Sequence, residues 1–228
     1  MAFLSRQDWL KRLLFEVAAG WYARKLATGP EADLRREFAD FLSPAPGVAA
    51  LDVGCGPGHL ARLLAARGCR VAAVDRSWRL LRFACRLAAA EGLAVEFRRG
   101  SAERLPFADG SFDLTLATTV IYFVRDAGAV LREMVRVTRP GGVVATLDPA
   151  AAMNVASVRA CCARRGFDRT DSRKLLIWAR AAESFNQRFT EPELRGLLEG
   201  AGLAQLHLER RMDGLVWFTK AVKPSATP

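Results

Sequence analysis

Short apolar runs at 48–53 (VAALDV), 70–75 (RVAAVD), 94–98 (AVEFR), 112–117 (FDLTLA) and 142–147 (GVVATL) predict five strands. Between them apolar residues recur at three- and four-residue spacing, which predicts helices over 58–67, 77–90 and 126–138. Gly68 and Gly92 stop the first two. Apolar strands that alternate with helices form a parallel sheet covered on both faces, with right-handed crossovers. Further on, Thr190 reads as an N-cap, with Pro192 and Glu193 behind it as helix-start residues. That helix runs to Gly200, and Leu203–Leu208 and Leu215–Phe218 supply two last strands. A strand–loop–strand ending after such a series suggests an antiparallel edge. The expected fold is α/β, a doubly wound seven-stranded sheet, mostly parallel with an antiparallel edge.

Two stretches depart from this rhythm. Residues 2–18 place Phe3, Leu4, Trp9, Leu10, Leu13, Leu14 and Val17 at near-helical spacing, with Arg6, Lys11 and Arg12 beside them. The pattern suits a helix packed on the domain and also an interfacial helix in peripheral contact with a membrane. A second helical pattern, Leu34, Phe38, Phe41 and Leu42, ends at the breaker Ser43-Pro44-Ala45-Pro46-Gly47. Residues 149–189 are rich in Ala, Arg and Cys and predict one or two helices inserted after strand five. The chain thus divides into N-terminal helices forming a cap (1–46), a core (47–148), the helical insertion (149–189), and a C-terminal helix with the last two strands (190–222), all within one domain.

Composition changes this picture little. With 228 residues, half of them hydrophobic, the chain can bury a sizeable core. No run approaches the roughly 20 apolar residues of a membrane span. Charged residues interrupt the N-terminus, so it does not read as a secretory signal. Five cysteines, an odd number without metal-ligand spacing, point to a reducing, cytoplasmic setting. Vicinal Cys161 and Cys162 lack a histidine or third cysteine at ligand spacing, and no metal site is expected. The net charge of +10 suits an anionic partner, and arginine-rich, alanine-rich composition suits a GC-rich genome equally well. The insertion holds eight basic residues against three acids.

The chemistry gathers at Val48–Leu60, VAALDVGCGPGHL: a strand, three glycines two apart, then a helix with Pro57 in its first turn. Strand, glycine turn and helix start present backbone N–H groups to a polar or anionic ligand. A dinucleotide fingerprint would be G-x-G-x-x-G, but here the third-glycine position is His59. Asp52, two residues before Gly54, would repel a pyrophosphate and suits a ligand with an ammonium group. Asp75, at the end of strand two, is placed to accept hydrogen bonds from two ribose hydroxyls. A ribose, a cationic end and no pyrophosphate describe S-adenosylmethionine.

Four ordered blocks then resemble the class I S-adenosylmethionine-dependent methyltransferases, in their small-molecule (UbiE-like) branch. LDVGCGPGHL is similar to motif I and VAAVDRS to motif II. GSAERLPFADGSFDLTLATTVIYFV resembles the stretch through strand four, and EMVRVTRPGGVVATLDP the one through strand five. The resemblance implies a Rossmann-like core with S-adenosyl-L-methionine as cofactor. It places Gly54, Cys55, Gly56 and Gly58 under the cofactor, Asp52 near its amino group and Asp75 on the ribose. Arg76 and Ser77 border the adenine, Leu105 packs on it, and Ser101, Ala102 and Glu103 stand where the family usually reads Asp-Ala-Glu. Thr118 and Thr119 face the donor methyl and the acceptor. FEVAAGWYARK is similar to the segment that closes over the cofactor, with Phe15, Ala18 or Ala19, and Tyr22 as its matching members. Tyr122, Asp148 and His59 are the candidates for acceptor contacts or catalysis, and His207 reads as a structural or surface residue. The expected function is methyl transfer to a small-molecule or lipid-like acceptor by in-line displacement. The alternatives are an RNA methyltransferase, or a cofactor-binding regulatory subunit without catalysis.

Overall fold

The computed structural model describes residue 20, residues 27–185 and residues 187–225. The helix expected over 2–18, and Phe15, Ala18, Ala19 and Tyr22, lie outside them. In chain order the elements are α1 (Pro30–Leu42), β1 (Ala49–Val53), α2 (His59–Ala66), β2 (Arg70–Asp75), α3 (Trp78–Ala90), β3 (Val95–Arg99) and β4 (Phe112–Thr118). There follow α4 (Ala127–Val137), β5 (Thr138–Pro149), α5 (Val155–Arg165), α6 (Arg169–Phe185), α7 (Glu191–Gly200), β6 (Ala204–Arg211) and β7 (Val216–Val222).

The seven strands form one sheet in the order β3-β2-β1-β4-β5-β7-β6. The pairs β1–β2, β2–β3, β1–β4 and β4–β5 are parallel. β7 pairs antiparallel with both β5 and β6 and makes the expected antiparallel edge. The apolar central strands follow from burial on both faces: Leu51, Val53, Leu116, Ala117, Val144 and Ala145 are all inside. Local signals set the helix starts. Ser77 Oγ accepts from Leu80 N–H (3.2 Å) at α3, and Asp126 accepts from Ala129 N–H (2.8 Å) at α4. At α7 the Glu193 carboxylate reaches back to the Thr190 N–H (2.8 Å) and hydroxyl (2.7 Å).

α1 buries Leu34, Phe38 and Ala39 and packs against α2, α6 and β7. The Phe38 ring meets Phe218 of β7 edge-on at 5.0 Å. The insertion forms two helices, α5 and α6. Lys174 of α6 donates to the Thr28 carbonyl (3.1 Å), which ties it to the start of α1. Arg164 and Arg165 of α5 each clamp one oxygen of Asp213, both at 2.9 Å, in the turn between β6 and β7. No helix among the described residues is long and apolar enough to cross a membrane.

Candidate functional site

The sheet changes direction between β1 and β4: β1 is followed outward by β2 and β3, β4 by β5. The crossovers on either side of that point leave to opposite faces, so a crevice opens beyond the strand ends. A cleft of about 310 Å³ lies there, lined by Arg35, Gly54, Cys55, Gly56, Pro57, His59, Leu60, Thr118 and Thr119. The turn after β1 and the residues that end β4 therefore share one wall.

At the head of the turn the close approach of Val120 demands glycine. Gly54 has φ +69°, and a Cβ there would stand 2.5 Å from Val120 Cγ2. At Gly56, by contrast, a Cβ would meet nothing within 4 Å: its open side is the cleft itself. The turn is fixed from β2, because Asp75 Oδ2 accepts the Gly56 N–H and Oδ1 the Ser77 N–H, both at 2.8 Å. Cys55 is buried, its thiol donating to the Gly56 carbonyl at 3.7 Å, and burial pushes that thiol well up. Gly58 caps α2.

Opposite charges meet at this place. Asp52 on β1 is 1% exposed, and its Oδ1 has no hydrogen-bond partner among the described residues. Burial raises its carboxyl from 3.8 to about 7 against the pull of the Arg35 charge and the Ala61 backbone N–H, with Asp75 adding to the rise. A buried carboxylate with a vacant acceptor position is costly unless a cation answers it. Arg35 stands on the cleft wall from α1, its Nη1 donating to the Glu31 carbonyl at 2.8 Å. Sequence reasoning missed it: Arg35 follows Leu34 of the apolar stripe, and only the packing of α1 brings it to the turn.

Thr118 and Thr119 line the cleft. Thr119 has φ +57°, a strained conformation for a β-branched residue, held by its N–H to the Leu147 carbonyl (2.7 Å) and its hydroxyl to the Thr118 carbonyl (2.6 Å). Tyr122 and Asp148 come together at the ends of β4 and β5, but inside. Tyr122 is 6% exposed, Asp148 is fully buried, and the Tyr122 N–H donates to Asp148 Oδ1 at 3.3 Å. Burial pushes the Asp148 carboxyl well up. Neither residue belongs to the cleft wall.

Asp75, Arg76, Ser101, Ala102 and Glu103 stand farther along the same end of the sheet, after β2 and β3. Arg76 is exposed and its carbonyl accepts from Arg99 Nε (3.2 Å). The Ser101 hydroxyl is 3.3 Å from Glu103 Oε2 and accepts the Glu103 N–H at 3.4 Å. Leu105 is 3% exposed, its N–H held by Glu133 at 2.7 Å. His207 is on the outer strand β6, with Nε2 2.7 Å from Glu209. No group of three or more His, Cys, Asp or Glu side chains among the described residues could hold a metal ion.

A sequence profile described as a methyltransferase domain matches residues 51–146. The ubiquinone biosynthesis O-methyltransferase of Caulobacter vibrioides is 32% identical over 185 residues, which cover 79% of this chain and 69% of that protein. The malonyl-(acyl-carrier protein) O-methyltransferase of Pseudescherichia vulneris is 35% identical over 133 residues, covering 57% of this chain and 51% of the relative. The chain spans only 37% to 51% of the length of the first curated relatives it matches. Among solved structures, phosphoethanolamine N-methyltransferase 2 of Haemonchus contortus, in complex with S-adenosyl-L-methionine, has a TM-score of 0.74 at 16% identity. That match covers 98% of this chain and 61% of the other, and it is a likeness of fold.

Proposed function

The chain belongs to the class I S-adenosylmethionine-dependent methyltransferases, and from that premise we propose that it methylates a small-molecule or lipid-like acceptor. The observation that carries the proposal is the pairing of Asp52 and Arg35 about one cleft floored by a glycine turn. A buried acid with a vacant oxygen behind the turn and a basic side chain on the cleft wall suit the ammonium and carboxylate of an amino-acid end. The open side of Gly56 leaves room for a ligand to lie against backbone. The residues fit the cofactor.

When bound, S-adenosylmethionine supplies a methyl group already activated by its sulfonium. Asp52 answers the ammonium and Arg35 the carboxylate. Asp75, whose two oxygens accept the Gly56 and Ser77 N–H groups, holds the ribose hydroxyls. Arg76, Ser101, Ala102 and Glu103 border the base, and Tyr22 covers the cofactor from the N-terminal segment. Thr118 and Thr119 align the acceptor with the transferring methyl, where orientation and exclusion of water supply most of the rate. Asp148 and Tyr122 brace that wall from beneath through their buried contact. The cap of 1–46 and the insertion of 149–189 close the acceptor side, and residues 2–18 supply any peripheral membrane contact.

The named relatives are O-methyltransferases, so oxygen acceptors are the first class to test; a phenol or alcohol needs a base for its proton, whereas a carboxylate needs none. Titration calorimetry with S-adenosylmethionine and with NAD⁺ tests the cofactor. Binding of the first and not the second is expected, and the reverse overturns the proposal. Release of S-adenosylhomocysteine across a panel of carboxylic acids, phenols and lipid extracts then identifies the acceptor.

A further inference from the structure

The helices of this fold manage their arginines in two ways. α1, α4, α6 and α7 interleave them with acids along the helix. α2 and α5 hold no acid, and their Arg62, Arg164 and Arg165 reach out to Glu91 and Asp213 instead. In α3, Arg82 and Arg86 do neither. Residues 76–90 contain no acid at all, and Glu91 just beyond them is taken by Arg62. Arg86 Nε donates to the Arg82 carbonyl at 3.2 Å, and its guanidinium lies 4.8 Å from the centre of the Phe83 ring. Neither arginine has a carboxylate partner among the described residues. Arg99, at the end of the edge strand β3, likewise spends its Nε on a carbonyl, that of Arg76 at 3.2 Å. A third guanidinium without a carboxylate thus stands by the start of α3. Like charges four residues apart on a helix repel, and a first turn without an acid leaves the helix dipole unanswered. The helix gains nothing from this charge.

Trp78 shares the outward face, four residues before Arg82. At 57% exposure it is the only exposed large hydrophobic side chain among the described residues. Cys85 and Ala89, both exposed and small, continue the same stripe along the helix. Trp78 also sits at the cleft end of the sheet, since Asp75, three residues before it, holds both the Gly56 N–H of the cleft turn and the Ser77 N–H.

We propose that the outward face of α3, with Arg99 beside it, docks on an anionic bilayer surface. Arginine charges beside one bare tryptophan match a plane of phosphates with an apolar layer beneath it. The guanidinium groups meet the headgroup phosphates and the indole enters the boundary. Single-stranded nucleic acid asks for several stacking rings in a row, and this face has one. A protein partner asks for an apolar centre to its footprint, whereas the stripe beside Trp78 carries Arg82, Cys85 and Ala89. The contact is separate from that of residues 2–18. It needs neither cofactor nor acceptor, so it stands or falls apart from the function proposed above.

Of the five cysteines only Cys85 is exposed, so a polarity-sensitive maleimide dye on the full chain reports on this face alone. With vesicles of phosphatidylcholine and phosphatidylglycerol, the dye emission is expected to shift to the blue and to be quenched by lipids brominated on their acyl chains. Added salt should weaken both signals, and phosphatidylcholine alone should give neither. Arg82→Gln with Arg86→Gln should lower the partition coefficient about thirtyfold, and Trp78→Ala about tenfold. Arg82→Lys with Arg86→Lys keeps the charge and should keep the binding. Chains that sediment with anionic vesicles while the dye stays unchanged dock by another surface, and that result overturns the proposal. So does failure to bind anionic vesicles, or binding that the Gln and Ala substitutions leave intact. A dye response to single-stranded RNA or polyglutamate that exceeds the response to vesicles at equal anionic charge assigns the face to another polyanion and overturns it too.

Discussion

Burial holds the Asp52 carboxyl at about 7 in the folded chain, against 3.8 ordinarily, and the sign of the consequence follows. Between those values the folded state binds the proton that the unfolded state has lost, so stability falls as pH rises from about 4 to about 7 and then levels. Asp52→Asn removes that slope. Urea unfolding should find the variant gaining on the parent by roughly 2 kcal/mol between pH 5 and pH 8, while its cofactor affinity falls. Gly54→Ala and Gly56→Ala separate structure from binding in the same turn. The first drives a Cβ against Val120 and should cost about 2 kcal/mol or more in stability. The second should cost only about 1 kcal/mol but fill the cofactor's space, so calorimetry should lose the binding while the fold survives. Thr119→Asn, better suited to φ +57°, should gain up to about 1 kcal/mol in stability and lower kcat, as relief of strain at a working position does. At this scale the glycines, Asp52 and Asp75 were legible because their spacing is local. Arg35 was not, since nothing beside it in the chain says which wall it will form. Nor was the depth of Tyr122 and Asp148, because a position at a strand end does not say whether its side chain turns in or out.

Among the elements, those with sharp punctuation came through with little change. β2 matches its expected range, and Thr190 with Glu193 starts α7. β5 is longer than its apolar run, reaching from Thr138 to Pro149 rather than 142–147. Thr138 pairs with Phe112 across a register shift, and the Gly141 N–H finds the Lys223 carbonyl at 2.8 Å, so what reads as a turn carries ladder bonds. β7 likewise runs past Phe218 through Thr219 and Lys220. Buried Thr219 satisfies its hydroxyl on Thr146 at 3.0 Å, a partner 73 positions away that no local pattern reveals. The insertion depends on one distant acid: Asp213 accepts from both Arg164 and Arg165, and those partners hold its carboxyl below the usual range. Asp213→Ala should cost about 1–2 kcal/mol and loosen α5, readable as faster amide exchange over 155–165 with the sheet unchanged.

For the molecule as a whole, part of the basic charge is already engaged within the fold. Of the eight basic residues in the insertion, Arg164 and Arg165 hold Asp213, Lys174 holds Asp171 and Thr28, and Arg188 donates to the Met153 carbonyl. Half of those basic residues are thus engaged within the fold. RNA binding, measured by fluorescence anisotropy, is expected to be weak at low salt and lost by about 0.2 M, as for contacts that only neutralise phosphates. The sheet order has a further consequence, for synthesis on the ribosome. β7 lies between β5 and β6 although it follows both in the chain. Until residue 222 has left the exit tunnel, β5 presents an unpaired edge and β6 has nothing to join. The cofactor cleft, built by residues 35–119, can form earlier. A nascent chain therefore gains its ligand site before it loses its sticky edge, and an early-bound small molecule could act as its first chaperone.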